Sequence, residues 1–426
     1  MSLRLLGGLV LWVTTVYCGP KARKGTGRGL EGAGLYPELG AFGFSEGSSP
    51  ALSSEVSRLA VLLPSFELTR RELARHGVEL NIKSIHRITC QLGAEVLSTR
   101  KRDLLAWREG RLPVGKELAG KRVGVGIDGG RLRLRECRRP QKGQGKHKTR
   151  RRRYKGRWRE PKLLTIFELD EKGRMKRNTR PWIEVTLQGP DAVMELLAYH
   201  LHRLGARDAE SVTFLCDGAP WIWERLDWVQ SRVGLDPSRV QRVLDWCHAV
   251  GHVSLAVETL KLSKKERDAL FYKLRQQLRN GKVKEVLEEL HKQAGAQPKK
   301  SLRREIKYLE KHTSHMAYKQ LRQAGLPMGS GAVESAIRRV INLRLKGNGI
   351  MWLKENAEGM LVLRAAVLSD RWEETLEHVR ATMATDRQIG WKWSSPDTSR
   401  ASKPSTPITK HTSLPLEFQE VLKIPA

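Results

Sequence analysis

Residues 326–349 read LPMGSGAVESAIRRVINLRLKGNG, and this stretch decides how the rest of the chain is interpreted. Two glycines, Gly329 and Gly331, interrupt the preceding helical pattern, and Ser330 between them is a residue type that favours the N-cap position of a helix. The apolar residues that follow recur at helical spacing: Val333, Ile337, Val340 and Ile341. The stretch therefore predicts an amphipathic helix with Glu334 in its first turn, at the edge of the buried face.

Two more carboxylates follow predicted strands. In KRVGVGIDGG, residues 121–130, three apolar residues alternate and Asp128 comes at their end; in SVTFLCDG, residues 211–218, Asp217 ends an apolar run. Each acid has an ordinary explanation, because the helix dipole favours a first-turn glutamate and Asp-Gly is common in hairpin turns. Together the three acids form a pattern, since α/β sheets place their sites at the carboxyl ends of strands.

The surrounding pattern predicts the α/β class, with a mixed sheet flanked by helices. Apolar or alternating runs predict further strands, and PDAVMELLAYHLHRLG, residues 190–205, predicts an amphipathic helix ending at a glycine. The further strands are 131–137, as an antiparallel hairpin partner of the strand before it, and 162–169, 182–187 and 240–246. Residues 254–325 carry Leu-spaced, Lys/Glu-rich helical patterns and no strand pattern, which predicts an all-helical insertion before the helix that carries Glu334.

A histidine follows the last predicted strand in the sequence DWCH, residues 245–248. His248 fits either a packed, half-buried histidine or a site residue near the acids. As a site residue it should not ligate Mg²⁺, which prefers oxygen. It should instead donate a hydrogen bond to a phosphate oxygen or orient the nucleophile.

Composition points to a polyanionic partner. Lys and Arg number 78 against 46 Asp and Glu, a formal charge of +32, and nucleic acid is the commonest partner of so basic a chain. No long basic amphipathic helix or lipidation motif suggests a membrane partner. The five cysteines show neither disulfide nor zinc spacing, so we expect a reducing compartment, the cytoplasm.

The most basic segment is residues 138–162, with 13 Lys or Arg and the single acid Glu160. We expect a basic loop that contacts phosphates, with Tyr154 and Trp158 stacking on bases. The alternative is a solvated basic loop. The DNA-contacting candidates in this loop are Arg150, Arg151, Arg152, Arg153, Lys155 and Arg157.

The chain before the first acid divides into two regions. Residues 1–55 predict a strand and loop region; residues 4–18 resemble a short signal peptide, but alternating β-branched residues favour a strand. Residues 56–118 are helical, with helices predicted over 65–80 and 81–93. These fit a helix-turn-helix whose second helix presents Lys83 and Arg87 to DNA, or an ordinary helical hairpin. At the other end, residues 376–426 predict a mostly disordered tail.

Three acids in so basic a chain have one chemically sensible use. Hard divalent cations bind carboxylate oxygens, and a pair of Mg²⁺ or Mn²⁺ ions activates an attacking oxygen and stabilises a leaving oxygen in phosphoryl transfer. Without cations the acids would repel both nucleic acid and one another.

Four motifs in combination resemble a DDE insertion-sequence transposase, nearest to the bacterial ISKra type: GIDGG at Asp128, LCDGAPWIW at Asp217, DWCHAVGH at His248 and GSGAVES at Glu334. Asp245-x-x-His248 also resembles a motif of Mutator-like transposases. The resemblance covers about residues 56–375 and implies a ribonuclease H-like catalytic domain over 119–375. It also implies that Asp128, Asp217 and Glu334 bind the metal ions.

What the resemblance implies for function is cleavage and joining of DNA, at the terminal inverted repeats of an element and at a target, by a homo-oligomer on the DNA. Two alternatives stay open at this stage. One is a non-catalytic helix-turn-helix DNA-binding protein with a decayed nuclease-like domain, which the three acids argue against. The other is a ribonuclease H-like nuclease, which shares the site and differs only in substrate.

Overall fold

The computed structural model describes residues 1–17, 21–22, 30–31, 36–44, 47–137, 154–295 and 298–390. The chain divides into two units, Met1–Ala384 and Thr385–Ala426, and all features described below, apart from the last residues of one helix, lie in the first. The basic residues Arg150–Arg153 lie outside the described residues, as does most of the predicted tail.

The strands and helices are numbered in chain order. The described strands are β1 (Ser2–Arg4), β2 (Val10–Trp12), β3 (Lys21–Ala22), β4 (Leu30–Glu31), β5 (Arg122–Gly129), β6 (Leu132–Cys137), β7 (Tyr154–Arg159), β8 (Lys162–Glu168), β9 (Trp182–Thr186), β10 (Ser211–Cys216) and β11 (Val240–Leu244). The described α-helices are α1 (Pro37–Ala41), α2 (Pro50–Leu62), α3 (Phe66–Arg75), α4 (Ile82–Arg108), α5 (Pro190–Arg203), α6 (Pro220–Val233), α7 (Trp246–Glu258), α8 (Lys264–Arg279), α9 (Val283–Ala294), α10 (Lys300–Lys311), α11 (Tyr318–Gln323), α12 (Gly331–Ile337), α13 (Leu343–Leu345), α14 (Lys354–Leu368) and α15 (Trp372–Gly390).

A five-stranded mixed sheet forms the centre, in the order β11-β10-β5-β8-β9. Strands β5, β10 and β11 are parallel to one another, whereas β8 runs antiparallel to both β5 and β9. The predicted α/β class and the positions of all five strands are confirmed. The apolar runs were reliable because both faces of the sheet are covered, so that residues 162–167 of β8 and the whole of β9 are buried.

Helices cover the two faces of this sheet. On one face, Val123, Val125 and Ile127 of β5 pack in a core that includes α5 and α6. On the other face, α12 lies against β5 and β8, and α14 lies against β9 and α4. Successive residues of a strand point to opposite faces, so Gly126 and Asp128 face α12. A Cβ on Gly126 would lie 3.0 Å from Cβ of Val333 in α12, so the glycine permits the helix to approach this closely.

The predicted helical insertion is found as α8, α9, α10 and α11, and the described part of residues 254–325 contains no strand. Its apolar residues join those of α7 and the β10–β11 edge of the sheet in one core cluster. Tyr318 at the start of α11 is completely buried, and its hydroxyl donates a hydrogen bond to the Leu244 carbonyl at 2.9 Å. The insertion is therefore attached directly to the end of β11.

Helix α4 is longer than predicted. Gly93, which the sequence pattern places at the end of the second helix of a hairpin, lies inside a helix of 27 residues. A Cβ at Gly93 would lie 2.8 Å from Cα of Gly359 in α14, so this glycine serves a close helix–helix crossing rather than a stop. The first helix, α3, ends at Arg75, and Gly77 takes a left-handed φ of +74° at the turn.

Two other local predictions were wrong. Strand β6 pairs with β7 in a separate two-stranded sheet and not with β5, because β5 is already paired with β8 and β10. Residues 154–159 of the predicted basic loop form strand β7.

Helix α15 continues to Gly390, past residue 376, where the mostly disordered tail was predicted to begin. The rest of that predicted tail lies outside the described residues.

Near the N-terminus, the predicted strand is confirmed only over Val10–Trp12, which pairs antiparallel with β1. In the part of the chain that the structure describes, no helix has the length and apolar character needed to cross a bilayer.

Candidate active site

Three aspartates lie at the carboxyl edge of the three parallel strands. In the register of the sheet, Cys216 is paired with both Ile127 and Leu244, and the residue after each of these three is an aspartate: Asp128, Asp217 and Asp245. The backbone N–H of Asp245 donates to the Cys216 carbonyl at 2.9 Å, which continues the pairing past the end of β11. The sheet therefore brings together three acids that are far apart in sequence.

Asp245 also positions the helix that carries Glu334. Its side chain is completely buried, and Oδ2 accepts a hydrogen bond of 2.5 Å from the backbone N–H of Ser330. Beside it, the backbone N–H of Trp246 donates to the Met328 carbonyl at 2.9 Å. Ser330 occupies the predicted N-cap position, but its side chain makes no cap hydrogen bond. The start of α12 is held instead by the aspartate at the end of β11.

His248 is held by the same aspartate. Asp245 is the N-cap residue of α7, and its Oδ1 accepts hydrogen bonds from the His248 backbone N–H at 2.9 Å and from Nδ1 at 3.0 Å. The hydrogen bond to Asp245 raises the pKa of His248, although partial burial opposes it. Burial alone would raise the pKa of Asp245, but the bonds from His248 and Ser330 outweigh burial and lower this pKa to about 2. The hydrogen bond between Asp245 and His248 therefore favours the ionised form of both side chains.

Glu334 lies beside this pair. The ligand atoms of Asp245, His248 and Glu334 are all within 4.8 Å of one another, and among the described residues this is the one group of three metal-binding side chains found so close together. Asp245 was not among the residues predicted for the site. A partial signal was present, since Asp245, like Asp217, follows a strand and comes before a helix, but the sequence does not show its bond to Ser330.

Asp128 and Asp217 border the group formed by Asp245, His248 and Glu334. Burial raises the pKa of Asp128 to about 6; the hydrogen bond from the Gly129 N–H at 2.6 Å opposes this shift, and the charges of Asp217 and Glu334 add to it. Burial also raises the pKa of Asp217, against a hydrogen bond from the Ala219 N–H at 3.1 Å and the field of His248. All four predicted catalytic residues are thus electrostatic neighbours at one edge of the sheet.

The donor set fits a hard divalent cation. Asp128, Asp217 and Glu334 offer carboxylate oxygens, the ligands that Mg²⁺ and Mn²⁺ prefer. Burial raises the pKa of Asp128, the charges of Asp217 and Glu334 add to this shift, and a bound cation would offset their negative charge. Among the described residues, the ligand atoms of these three acids do not all lie within 4.8 Å of one another. His248 has one ring nitrogen engaged by Asp245, which leaves Nε2 as its remaining polar atom.

The loop after Asp217 is braced by the helical insertion. Tyr308 of α10 accepts a hydrogen bond of 3.0 Å from the Gly218 N–H through its hydroxyl, and its ring stacks on His252 with centroids 3.5 Å apart. On the other side, Nε1 of Trp223 donates to the Asp217 carbonyl at 2.6 Å. Both contacts bind the peptide group between Asp217 and Gly218, so they fix the backbone directly after the Asp217 side chain.

The predicted DNA-contacting residues that the structure describes lie on two exposed elements. Lys155 and Arg157 belong to β7, all of whose residues are exposed, and Arg157 pairs with Glu136 at 2.9 Å. Lys83 and Arg87 are exposed near the start of α4. Neither element carries Asp128, Asp217, Asp245 or Glu334.

The two aromatic residues of β7 are in use within the hairpin. The Arg135 guanidinium lies 4.2 Å from the ring centroid of Tyr154, and that of Arg133 lies 5.4 Å from the ring of Trp158. Both aromatic side chains stay exposed, Trp158 by 54%. The rings therefore position the two arginine side chains of β6 and still have exposed surface that a partner could contact.

Comparison with known proteins adds no family to this description: no protein-family model and no curated protein matches the chain.

Proposed function

We propose that this chain is a metal-dependent DNA transposase that cleaves DNA strands and joins them to new ends by phosphoryl transfer. The observation that carries the proposal is the grouping of Asp128, Asp217 and Glu334 with the Asp245–His248 pair at one sheet edge of a chain whose net charge is +32. An acidic site in a basic protein suits a substrate that is itself an anion, with cations between the two.

We also infer that the central sheet is ribonuclease H-like. The inference is supported by the mixed order of the sheet, by the position of Asp128 on its central strand, and by the helical excursion that separates β11 from the helix bearing Glu334. Fold alone does not assign chemistry, and it is the carboxylates that support the proposed function.

Mg²⁺ or Mn²⁺ bound to Asp128, Asp217 and Glu334 would supply Lewis acidity toward the attacking and leaving oxygens of an in-line displacement. The chain's own residues do the remaining work. Asp245 favours the protonated form of His248 and engages its Nδ1, which leaves Nε2 to donate to a phosphate oxygen. By accepting a hydrogen bond from the Ser330 backbone N–H, Asp245 also fixes the position of the start of α12, and with it the position of Glu334.

The DNA itself would be held by phosphate contacts. Lys155 and Arg157 on the exposed strand β7 are the described candidates, together with Lys83 and Arg87 on α4 and Arg150–Arg153 outside the described residues. We infer that the partners are the terminal inverted repeats of an element and its target, bound by a homo-oligomer of this chain.

The test is strand cleavage and joining with oligonucleotides that carry the ends flanking the coding sequence, in Mg²⁺ or Mn²⁺ and in EDTA. Asp128→Asn, Asp217→Asn and Glu334→Gln should each lower the cleavage rate by about 10³-fold, several kcal/mol of transition-state stabilisation. Asp227→Asn is the matched control, since Asp227 is an exposed carboxylate on α6 paired with Arg242, and it should keep the parent rate.

Other results would redirect the proposal. Cleavage without joining, or preference for an RNA–DNA hybrid, would assign the same site to a ribonuclease H-like nuclease. Sequence-specific binding with no metal-dependent chemistry would leave a DNA-binding protein whose acids have another role.

A further inference from the structure

A pocket of about 430 Å³ lies outside the carboxylate site, between four segments of the chain. Its walls come from the start of α3, from α4 and β6, and from the segment between α13 and α14. The volume falls within the range of roughly 300–1,000 Å³ that is usual for small-molecule sites. The pocket is therefore large enough to receive a planar ring system, and it is open to solvent on one side.

Three rings line this pocket. Phe66 meets His86 edge-on with centroids 5.4 Å apart, and meets Trp352 in the same way at 6.5 Å. Burial lowers the pKa of His86, which keeps its ring neutral at neutral pH. Edge-to-face rings leave faces turned in different directions, as a stacking ligand requires.

The polar groups of the pocket are mainly donors. Arg344 is only 5% exposed, with its guanidinium 5.1 Å from the Phe66 ring centroid and 5.3 Å from that of Trp352. Its Nη2 and the Nε of Arg135 are buried and have no hydrogen-bond partner among the described residues. Asn356 adds an amide, and the described residues that line the pocket include no acid. The pocket thus combines ring faces with unused donors, which suits a flat ligand rich in acceptors.

The pocket borders the exposed basic strand β7. A Cβ on Gly156 of β7 would lie 2.9 Å from Sδ of Met351, a residue that lines the pocket and is 40% exposed. Lys155 and Arg157 flank Gly156 and are both exposed. Lys155 and Arg157 are neighbours of Gly156 in a strand, so their side chains point to the face opposite Met351. A DNA strand whose phosphates they bind would have to run along the edge of β7 for its bases to reach the mouth of this pocket.

We propose that this pocket receives one unstacked nucleobase of a DNA strand held along β7. The proposal rests on the proposed function, because it takes the bound strand to be DNA. It adds a contact to a base, whereas β7 offers contacts to phosphates. A base leaves its stack readily where the DNA is single-stranded or mispaired, and stacking on aromatic rings contributes about 1–3 kcal/mol per base.

The first measurement compares two oligonucleotides that share one duplex and one single-stranded stretch, which carries bases in one and abasic sites in the other. The full-length protein should bind the base-carrying form about 5-fold to 150-fold more tightly, the equivalent of one stacked base. Equal affinity for both forms would overturn the proposal. Free deoxynucleoside monophosphates should compete weakly, and competition as strong as that of the strand would assign the pocket to a free nucleotide instead.

Phe66→Leu is the informative variant, because leucine keeps much of the apolar volume and removes the ring. It should abolish the preference for bases and leave affinity for the abasic oligonucleotide and its salt dependence unchanged. Phe42→Leu is the matched control, since Phe42 is 73% exposed and does not line the pocket. A preference that survives Phe66→Leu, or is lost equally in Phe42→Leu, would contradict the assignment.

A second measurement needs no variant. Irradiation of the complex with a strand carrying 5-iodouracil in its single-stranded stretch should cross-link the base to Phe66, Met351 or Trp352. Cross-links confined to Tyr154 and Trp158 would place the bases on the hairpin surface and overturn the proposal. Failure to bind either oligonucleotide would remove the proposed function as well, whereas equal binding with normal cleavage would remove the pocket assignment alone.

Discussion

Asp128→Asn should make the protein more stable at neutral pH when no divalent cation is present. The buried carboxylate at position 128 has a pKa raised from the ordinary 3.8 to about 6, so its ionisation at neutral pH destabilises the folded state. Asparagine keeps the shape of the side chain and the oxygen that accepts from the Gly129 N–H, and it removes the charge. The substitution therefore isolates the electrostatic effect from the structural one.

The magnitude follows from the two pKa values. A gap of about 2.2 at 1.36 kcal/mol for each tenfold change corresponds to about 3 kcal/mol at pH 7.5. Unfolding of the 384-residue unit has an entropy of about 0.8 kcal/mol per kelvin, so the variant should melt about 4 °C higher.

The sign of the pH dependence is fixed by the direction of the shift. For an acid with a raised folded-state pKa, the stabilising proton is bound in the folded protein below pH 3.8 and is lost as the pH rises through about 6. The parent protein should thus regain about 1.4 kcal/mol between pH 7.5 and pH 5, and the advantage of Asp128→Asn should shrink by that amount, about 2 °C.

Differential scanning calorimetry in EDTA at several pH values measures these quantities, with Asp227→Asn as the control that should show no such pattern. Adding Mg²⁺ at about 100 times its dissociation constant should stabilise the parent by about 2.7 kcal/mol and the Asp128→Asn variant hardly at all. An Asp128→Asn protein that is less stable than the parent at pH 7.5, or a difference independent of pH, would show that the ionised Asp128 carboxylate does not destabilise the fold.

Three further predictions concern other parts of the molecule. His248→Ala should lower the cleavage rate by about 10²-fold and leave DNA affinity and folding nearly intact; unfolding, or cleavage at the parent rate, would show a histidine that only packs. Neutralising Arg150–Arg153 should flatten the dependence of DNA affinity on salt by about one unit of slope for each phosphate that these arginines bind, and an unchanged slope would mean a merely solvated loop. Gly126→Val should lower the free energy of unfolding by about 1–3 kcal/mol, because the added side chain meets Val333 and Thr165; calorimetry that shows parent stability would mean that α12 can move away freely.

The strands of the central sheet could be predicted because their signals are local. Both faces of β8 and β10 are covered, so these strands read as continuous apolar runs. In β5, Gly126 stands where Val333 of α12 approaches, and Gly124 stands beside the Phe167 ring. Local signals do not say which strand a segment will pair with. Leu132–Cys137 alternates like any edge strand, and only the occupation of both edges of β5 by β8 and β10 sends it to β7.

Three acidic residues of the site could be predicted from the sequence, but the hydrogen bonds that hold the site together could not. Asp128, Asp217 and Glu334 could be found because each follows a break in a regular pattern. Asp245 could not be assigned to the site because its importance comes from a bond to Ser330, 85 residues away in the chain, which no spacing rule indicates. The prediction for Gly93 was wrong for the same kind of reason, since a glycine at a helix crossing and one at a helix end look alike in sequence.

The bond between Asp245 and Ser330 also closes a ring in the chain. It joins residues 85 positions apart. A neighbouring hydrogen bond, from the Trp246 N–H to the Met328 carbonyl, closes the same loop. The helices between residues 246 and 328 therefore begin and end at the same place, beside the end of β11. Closing a loop costs entropy that grows only with the logarithm of its length, so shortening this one to roughly 20 residues would change that cost by about 1.3 kcal/mol. The excursion can therefore vary greatly in size over evolution while Glu334 stays in place.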